Sequence, residues 1–242
     1  MKNVEEEDII KSENEKEAHY EFVKNYFKKS AEENKKFYSL KNKDDVEKQI
    51  KKRRMWKIYT SILDKIIKKD SEISNVIDIA CGIGNFTFEI AKNNNYKNIV
   101  GIDFLKETID IARKNKNLFK NVTFLQGDLL NLPFIDKSFD FSVCLNTLHH
   151  IHKNDLYKAI TEISRITKKY LMLEIRNKNY IFKSLHNIII LQRVYRDLPI
   201  YFSSVSDLNN LMGKNGFKPI IIRGNNLLIW TSWRIVIVYK RY

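Results

Sequence analysis

The chain is short of cysteine, with only Cys81 and Cys144 among 242 residues. Both fall in apolar stretches expected to be buried, which excludes a disulfide framework and suits a reducing compartment. No apolar run approaches the roughly 18–20 residues that a membrane-spanning helix needs. The first residues are acidic and polar, without the order of a secretory signal, so a cytoplasmic protein is expected. Internal repeats are absent, and no Cys/His set with zinc-site spacing appears, so no metal is expected. Negative charge is in deficit as well: 29 Asp and Glu face 43 Lys and Arg, a net charge of +14. Such an excess would suit nucleic acid, phospholipid or an acidic substrate. Most of the lysines, however, are spread along the helices as solvated faces. Only residues 47–54, EKQIKKRR, form a dense basic run.

What is present centres on residues 76–87, VIDIACGIGNFT. Val76, Ile77 and Ile79 are β-branched and apolar, as a buried parallel strand requires, and Asp78 places a charge among them. Gly82 and Gly84 follow, and then a segment, 85–93, that reads as a helix. Strand, glycine turn and helix start form the opening of a nucleotide-binding βαβ unit, in which glycines let a ligand approach the main chain. A second strand, IVGIDF at 99–104, ends in Asp103, placed to accept hydrogen bonds from both hydroxyls of a ribose. A third strand lies in VTFLQGDL at 122–129, ending in Asp128, and a fourth is FDFSVCL at 139–145.

Taken together, DIACGIG, GID, GDL and LPFIDKSFD resemble the class I S-adenosylmethionine-dependent methyltransferases. They are most like the small-molecule enzymes of the ubiquinone/menaquinone-biosynthesis type. The resemblance is close over about residues 70–175 and holds only in outline elsewhere. It implies a three-layer, Rossmann-like α/β fold with a seven-stranded, mostly parallel sheet whose last strand is antiparallel. It also implies S-adenosyl-L-methionine as cofactor. Gly82 and Gly84 would let the backbone approach the methionine part, with Ala80 and Cys81 lining the same turn. Asp78 would sit beneath it, organising the turn or meeting the amino group. Asp103 would bind the ribose, although a helix N-cap is its alternative role, and Phe104 would cover one face of the adenine. Asp128 would accept from the adenine amino group, Leu129 would lend its backbone N–H, and the carbonyl of Asn146 would approach the methionine amino group. One departure stands out: Ala80 replaces the first glycine of the motif. Alanine disfavours positive φ, so the turn is expected to be reachable at ordinary backbone angles.

Around this core the sequence predicts a flexible tail at 1–18 and a helical cap at 19–69, whose aromatic residues Tyr20, Phe22, Tyr26, Phe27, Phe37 and Tyr38 recur at helical spacing. In the resembled family such a segment folds over the cofactor; a helix packed on the sheet edge is the alternative. The cap includes a longer amphipathic helix over 45–68, with Arg53 and Arg54 near its core-facing side. The cofactor-binding core spans 70–176. Residues 177–203, apolar and aromatic, read as an acceptor lid or as a membrane-surface or subunit contact. A helix from Ser204 to Gly216 and two strands, at 218–223 and 234–240, close a single domain.

Methyl transfer from a sulfonium is an in-line displacement that depends first on holding donor and acceptor in register. A proton acceptor is the second need. The segment NTLHHIHK at 146–153 supplies histidines at the carboxyl edge of the sheet, where open α/β folds bind ligands. His149 and His150 are the candidate bases, and Glu174, with Arg176, stands at the end of strand five. The expected partner is a small-molecule acceptor, lipid-like, quinone-like or sugar-derived. RNA is the alternative substrate, but strand four ends in CLNTLHH rather than the N/D-P-P-Y/F of exocyclic-amine methylases. Cys144 also lacks the preceding proline of a 5-methylcytosine nucleophile. A non-catalytic cofactor-binding subunit is a third reading.

Overall fold

The structure, a computed structural model, describes residues 2–33, 54–92, 96–115, 119–181 and 200–242, with side chains from residue 13 onward in the first helix. The basic run up to residue 53, Phe37, Tyr38 and most of the expected lid lie outside the described residues. Among the described residues no helix is long and apolar enough to cross a membrane.

The chain begins with α1 (Lys2–Glu33) and α2 (Arg54–Lys69), then alternates strand and helix. β1 (Asn75–Ile79), α3 (Asn85–Ala91), β2 (Asn98–Asp103), α4 (Lys106–Asn115) and β3 (Val122–Gln126) build the first half. β4 (Phe139–Cys144), α5 (Leu156–Ile166), β5 (Thr167–Arg176), α6 (Val205–Lys214), β6 (Phe217–Gly224) and β7 (Arg234–Arg241) build the second. The sheet order is β3-β2-β1-β4-β5-β7-β6. β7 slots between β5 and β6 and runs antiparallel to both. This is the expected seven-stranded arrangement. Its reversal of order between β1 and β4 leaves a crevice above the strands' carboxyl ends, the position at which such sheets bind ligands.

Alternation along the strands feeds two apolar layers. Val76, Phe124, Val143, Met172, Val236 and Val238 face α2, α3 and α4. Ile77, Ile79, Leu171, Leu173, Ile235 and Ile237 face α5 and α6. The central strands β1, β4, β5 and β7 are therefore apolar on both sides, as a sheet covered on both faces requires. α6 begins as its capping sequence requires, with Ser204 Oγ accepting from Asp207 N–H at 2.9 Å. It is released at Gly216, where φ is +80°.

The N-terminal segment differs from the sequence reading. α1 is one continuous helix where a loose tail to residue 18 and shorter helices are expected. The first 33 residues contain neither glycine nor proline and are rich in Glu and Lys, so nothing local interrupts the helix. Tertiary contacts also anchor it. Tyr20 Oη donates to Asp155 at 2.9 Å, Lys16 pairs with the same carboxylate at 3.3 Å, and His19 Nε2 meets the His150 carbonyl at 2.8 Å.

The turn after β1 is the tightest part of the fold. Ala80, Gly82 and Gly84 all have positive φ, at 57°, 56° and 82°. The expectation of ordinary angles at Ala80 is thus corrected: the residue takes the left-handed conformation although it carries a Cβ, at a strain of about 1–2 kcal/mol. Cooperating hydrogen bonds hold the turn in place, with Cys81 N–H on the Ile102 carbonyl at 3.0 Å and Gly84 N–H on the Cys81 carbonyl at 3.0 Å. Gly84 is required for a second reason, because a Cβ there would lie 2.6 Å from the Phe124 ring. Gly82 faces open space, with nothing within 4 Å of the same position. Gly84→Ala should therefore destabilise the fold by about 2–4 kcal/mol, from backbone strain plus overpacking, and Gly82→Ala by only about 1 kcal/mol. Urea denaturation of the two variants checks the order; equal losses would refute it.

Candidate cofactor and acceptor site

A cavity of about 1180 Å³ opens over the carboxyl ends of the strands. Its floor at one end is the glycine turn, with Asp78, Ala80, Cys81 and Gly82. Asp103 and Phe104 from the end of β2, and Asp128 and Leu129 beyond β3, form the adjoining wall. Tyr20, Val23 and Phe27 of α1 close it on a further side, so α1 covers the cavity rather than merely packing on a sheet edge. Met55, Trp56 and Tyr59 of α2 line it with Phe86, Trp233 and Arg234. Every expected cofactor residue except Gly84 lines this one space, and Gly84 sits beneath the turn against Phe124.

Asp103 ties the glycine turn to the start of α4 and also lines the cavity. Its Oδ1 accepts from Leu105 N–H at 3.0 Å and Thr108 Oγ1 at 3.1 Å, capping α4. Its Oδ2 accepts from Gly82 N–H at 2.8 Å, which leaves a lone pair of this oxygen for a hydroxyl in the cavity. Burial raises its pKa, and the hydrogen bonds from Leu105 and Gly82 pull it back. Asp128 is more exposed, with Oδ1 accepting from Leu130 N–H at 2.8 Å. Phe104 presents a partly exposed ring beside them. Asn146, with φ of 57°, turns the chain sharply after β4 at the opposite side of the glycine turn.

Asp78 lies beneath the turn, where Thr87 Oγ1 donates to Oδ2 at 2.6 Å. Thr87 was missed in the sequence, though its place in the first turn of α3 puts it directly above β1. Burial pushes the Asp78 carboxyl up to about 7, with the charge of Asp103 adding to the shift. The Cys81 and Cys144 thiols are likewise pushed up by burial, Cys144 to about 12, so neither is a ready nucleophile.

The candidate acid–base groups separate. His150 lines the cavity, packed edge-on to Phe27 with ring centroids 5.2 Å apart. His149 does not reach it: the ring is buried behind, and its pKa is lowered well below the usual value by burial and by the nearby Arg176, His150 and Arg234 charges. Glu174 is fully buried and is bound by Arg176, by the Nε and Nη2 of Arg234 at 2.9 Å each, and by the Tyr59 hydroxyl. A carboxylate held between two guanidiniums anchors neighbouring groups and has no free oxygen to take a proton. The expected base role of His149 and the expected catalytic contact of Glu174 with the acceptor are corrected accordingly, since neither side chain lines the cavity. Arg234 and Trp233 were missed, since an Arg at the start of an edge-proximal strand carries no motif.

The donor set suits S-adenosylmethionine on this geometry. A Cβ at Gly82 would project into open cavity, so the bare backbone is presented to a ligand. Asp78, Asp103 and Asp128 line the same end, as a cationic sulfonium and a ribose would require.

Comparison with known proteins agrees. Residues 76–170 match the family described as a methyltransferase domain. The chain is 26% identical over 172 residues to a demethylmenaquinone methyltransferase of Lactobacillus johnsonii, covering 62% of this chain and 70% of that protein. It is 31% identical over 111 residues to a ubiquinone/menaquinone biosynthesis C-methyltransferase of Rickettsia typhi, spanning only 42% of this chain and 44% of the relative. The fold matches that of the magnesium protoporphyrin IX methyltransferase of Synechocystis with bound S-adenosylhomocysteine. The TM-score is 0.69 at 18% identity, over 91% of this chain and 98% of that one. Residues 76–170 thus match a methyltransferase domain, and the chain is similar to the class I S-adenosylmethionine-dependent methyltransferases. Sequence relatives of the ubiquinone/menaquinone-biosynthesis type are among the proteins it resembles.

Asp78 gives this site a pH signature. The folded carboxyl holds its proton more tightly than the unfolded one, at about 7 against 3.8. Its contribution to stability is therefore greatest below about pH 4 and falls as pH rises towards 7, by an order of a few kcal/mol. Asp78→Asn should flatten that part of the profile. Melting temperatures of both proteins from pH 4 to 8 provide the check, and parallel curves would refute the assignment.

Proposed function

We propose that the protein moves a methyl group from S-adenosylmethionine to oxygen, nitrogen or carbon of a small apolar acceptor, quinone-like or lipid-like in character. The observation that carries this reading is the continuity of one cavity. Its acidic end, at the glycine turn, runs into an aromatic end lined by Trp56, Tyr59, Phe86 and Trp233. The bound donor would supply an electrophilic methyl on a sulfonium. Asp103 would accept from the ribose, Asp128 from the adenine amino group, and Phe104 would cover the adenine face. The Asn146 carbonyl and Asp78 would face the methionine end. α1 would keep water from the space between donor and acceptor, which strengthens each electrostatic contact inside.

Calorimetry with S-adenosylhomocysteine tests the donor half. Wild type should bind, and Asp103→Asn, which keeps the shape of the helix cap, should bind at least tenfold more weakly. Absence of heat with wild type would sink the reading.

An acceptor whose reacting atom carries a proton must lose it. His150, at the cavity wall, is the residue we assign to receive it, a role that in general is worth about 10²–10⁴ in rate. In a radiolabel transfer assay against a panel of phenols and hydroquinones, His150→Gln should cut product about 100-fold. Its affinity for S-adenosylhomocysteine should match wild type. Undiminished transfer would remove the base role.

A further inference from the structure

The cavity carries acids and a guanidinium in different parts of its lining, with Glu21 and Lys24 of α1 also facing it. Asp78, Asp103 and Asp128 stand at the end served by β1, β2 and β3, whereas the aromatic end carries a guanidinium, Arg234 at the start of β7. β7 is three strand spacings from β1 through β4 and β5, roughly 14 Å at the usual separation of neighbouring strands. The side chain of Arg234 is 22% exposed, while Glu174, which it grips, is fully buried.

The contacts of Arg234 fix its orientation. Nε and Nη2 bind the two oxygens of Glu174 at 2.9 Å each, a bidentate fork. Nη2 also meets Tyr59 Oη at 3.0 Å and Asn146 Oδ1 at 3.4 Å. Nη1 makes no hydrogen bond to a described residue. Glu174 is shared with Arg176, whose Nη2 also reaches Asn146 Oδ1 at 2.6 Å. The fork is thus immobilised by one edge, and its remaining nitrogen belongs to a residue that lines the cavity. Around it stand Trp56, Phe86 and Trp233, with Trp56 edge-on to Phe86 at 5.6 Å between ring centroids. Flat apolar walls beside one fixed cationic donor define a ligand chemistry: a ring system bearing an anionic oxygen.

We propose that Arg234 is a specificity-determining residue that selects acceptors carrying a carboxylate or an ionised hydroxyl on an aromatic ring, by donating Nη1 to that oxygen. The proposal rests on the methyltransferase reading above and adds the charge of the acceptor to it. A half-buried, pre-oriented arginine suits this task better than lysine, because its fork can hold Glu174 and still present a second edge. Arg176 and Tyr59 remain on Glu174 when Arg234 is replaced, so the carboxylate keeps polar partners.

The test uses 2-naphthoate and its neutral analogue 2-naphthamide as probes. Binding is followed by quenching of tryptophan fluorescence in the full chain saturated with S-adenosylhomocysteine. Wild type should bind naphthoate at least tenfold more tightly than naphthamide. Arg234→Met should abolish that preference while changing S-adenosylhomocysteine affinity less than threefold. Arg234→Lys, which retains a charge for Glu174, controls for folding and should lose most of the preference too. Equal binding of the two probes by wild type, or no binding of naphthoate, would overturn the proposal. So would a tenfold loss of S-adenosylhomocysteine affinity in Arg234→Met, which would assign the guanidinium to the donor's own carboxylate. Failure of wild type to bind S-adenosylhomocysteine at all would instead overturn the methyltransferase reading on which this one stands.

Discussion

One carboxylate holds the donor end of the site together. Asp103 receives Gly82 N–H from the turn after β1, and Leu105 N–H and the Thr108 hydroxyl from the start of α4. Two crossovers of the sheet are thereby tied at a single point before any ligand arrives. The tie matters because the turn contains three departures from ordinary backbone angles at alternate positions, one of them at a residue that is not glycine. Such a turn persists only when its surroundings over-determine it. The same acid that would recognise a ribose is thus also part of what keeps the main chain open to receive it.

A second polar centre does comparable work at the other end. Glu174, Arg176, Arg234, Tyr59 and Asn146 join β5, β7, α2 and the loop after β4 through buried charge. Buried ion pairs of this kind add little net stability, because desolvation offsets attraction, but removing one member leaves an uncompensated charge. Their value lies in orientation: side chains from distant parts of the sequence are held at fixed angles along one wall of the cavity.

The parallel core was legible in the sequence because its signals are local. β-branched runs, a glycine pair, and acids at strand ends place Asp78, Gly82, Asp103 and Asp128 in one space without knowledge of tertiary contacts. The antiparallel pairing of β6 and β7 was suggested by two terminal strands with no helix between them, whereas the insertion of β7 beside β5 was legible only through family resemblance. The sequence reading of His149 and Glu174 failed where burial decides. Among three neighbouring histidines, sequence cannot tell which ring enters a cavity, and nothing near Glu174 announces that Arg234, sixty residues on, will pair with it. Ala80 was misjudged because a rule about an isolated residue was applied to one clamped by Cys81, Ile102 and Gly84. The continuous α1 was missed for a similar reason. Its anchors, His150 and Asp155, lie more than a hundred residues away.

The Phe124 ring occupies the space under two glycines at once. A Cβ at Gly84 would fall 2.6 Å from it, and a Cβ at Gly101 the same distance. The three positions, on β3, β2 and the turn after β1, therefore behave as a single letter in the inheritance of this fold. A side chain at either glycine becomes tolerable only after residue 124 has shrunk, and a smaller residue at 124 opens a void until one of the glycines grows. Each one-step path between the two arrangements passes through a less stable protein. Drift in this part of the cofactor floor should thus proceed by paired replacement, while the lysine-rich helices around it change one residue at a time.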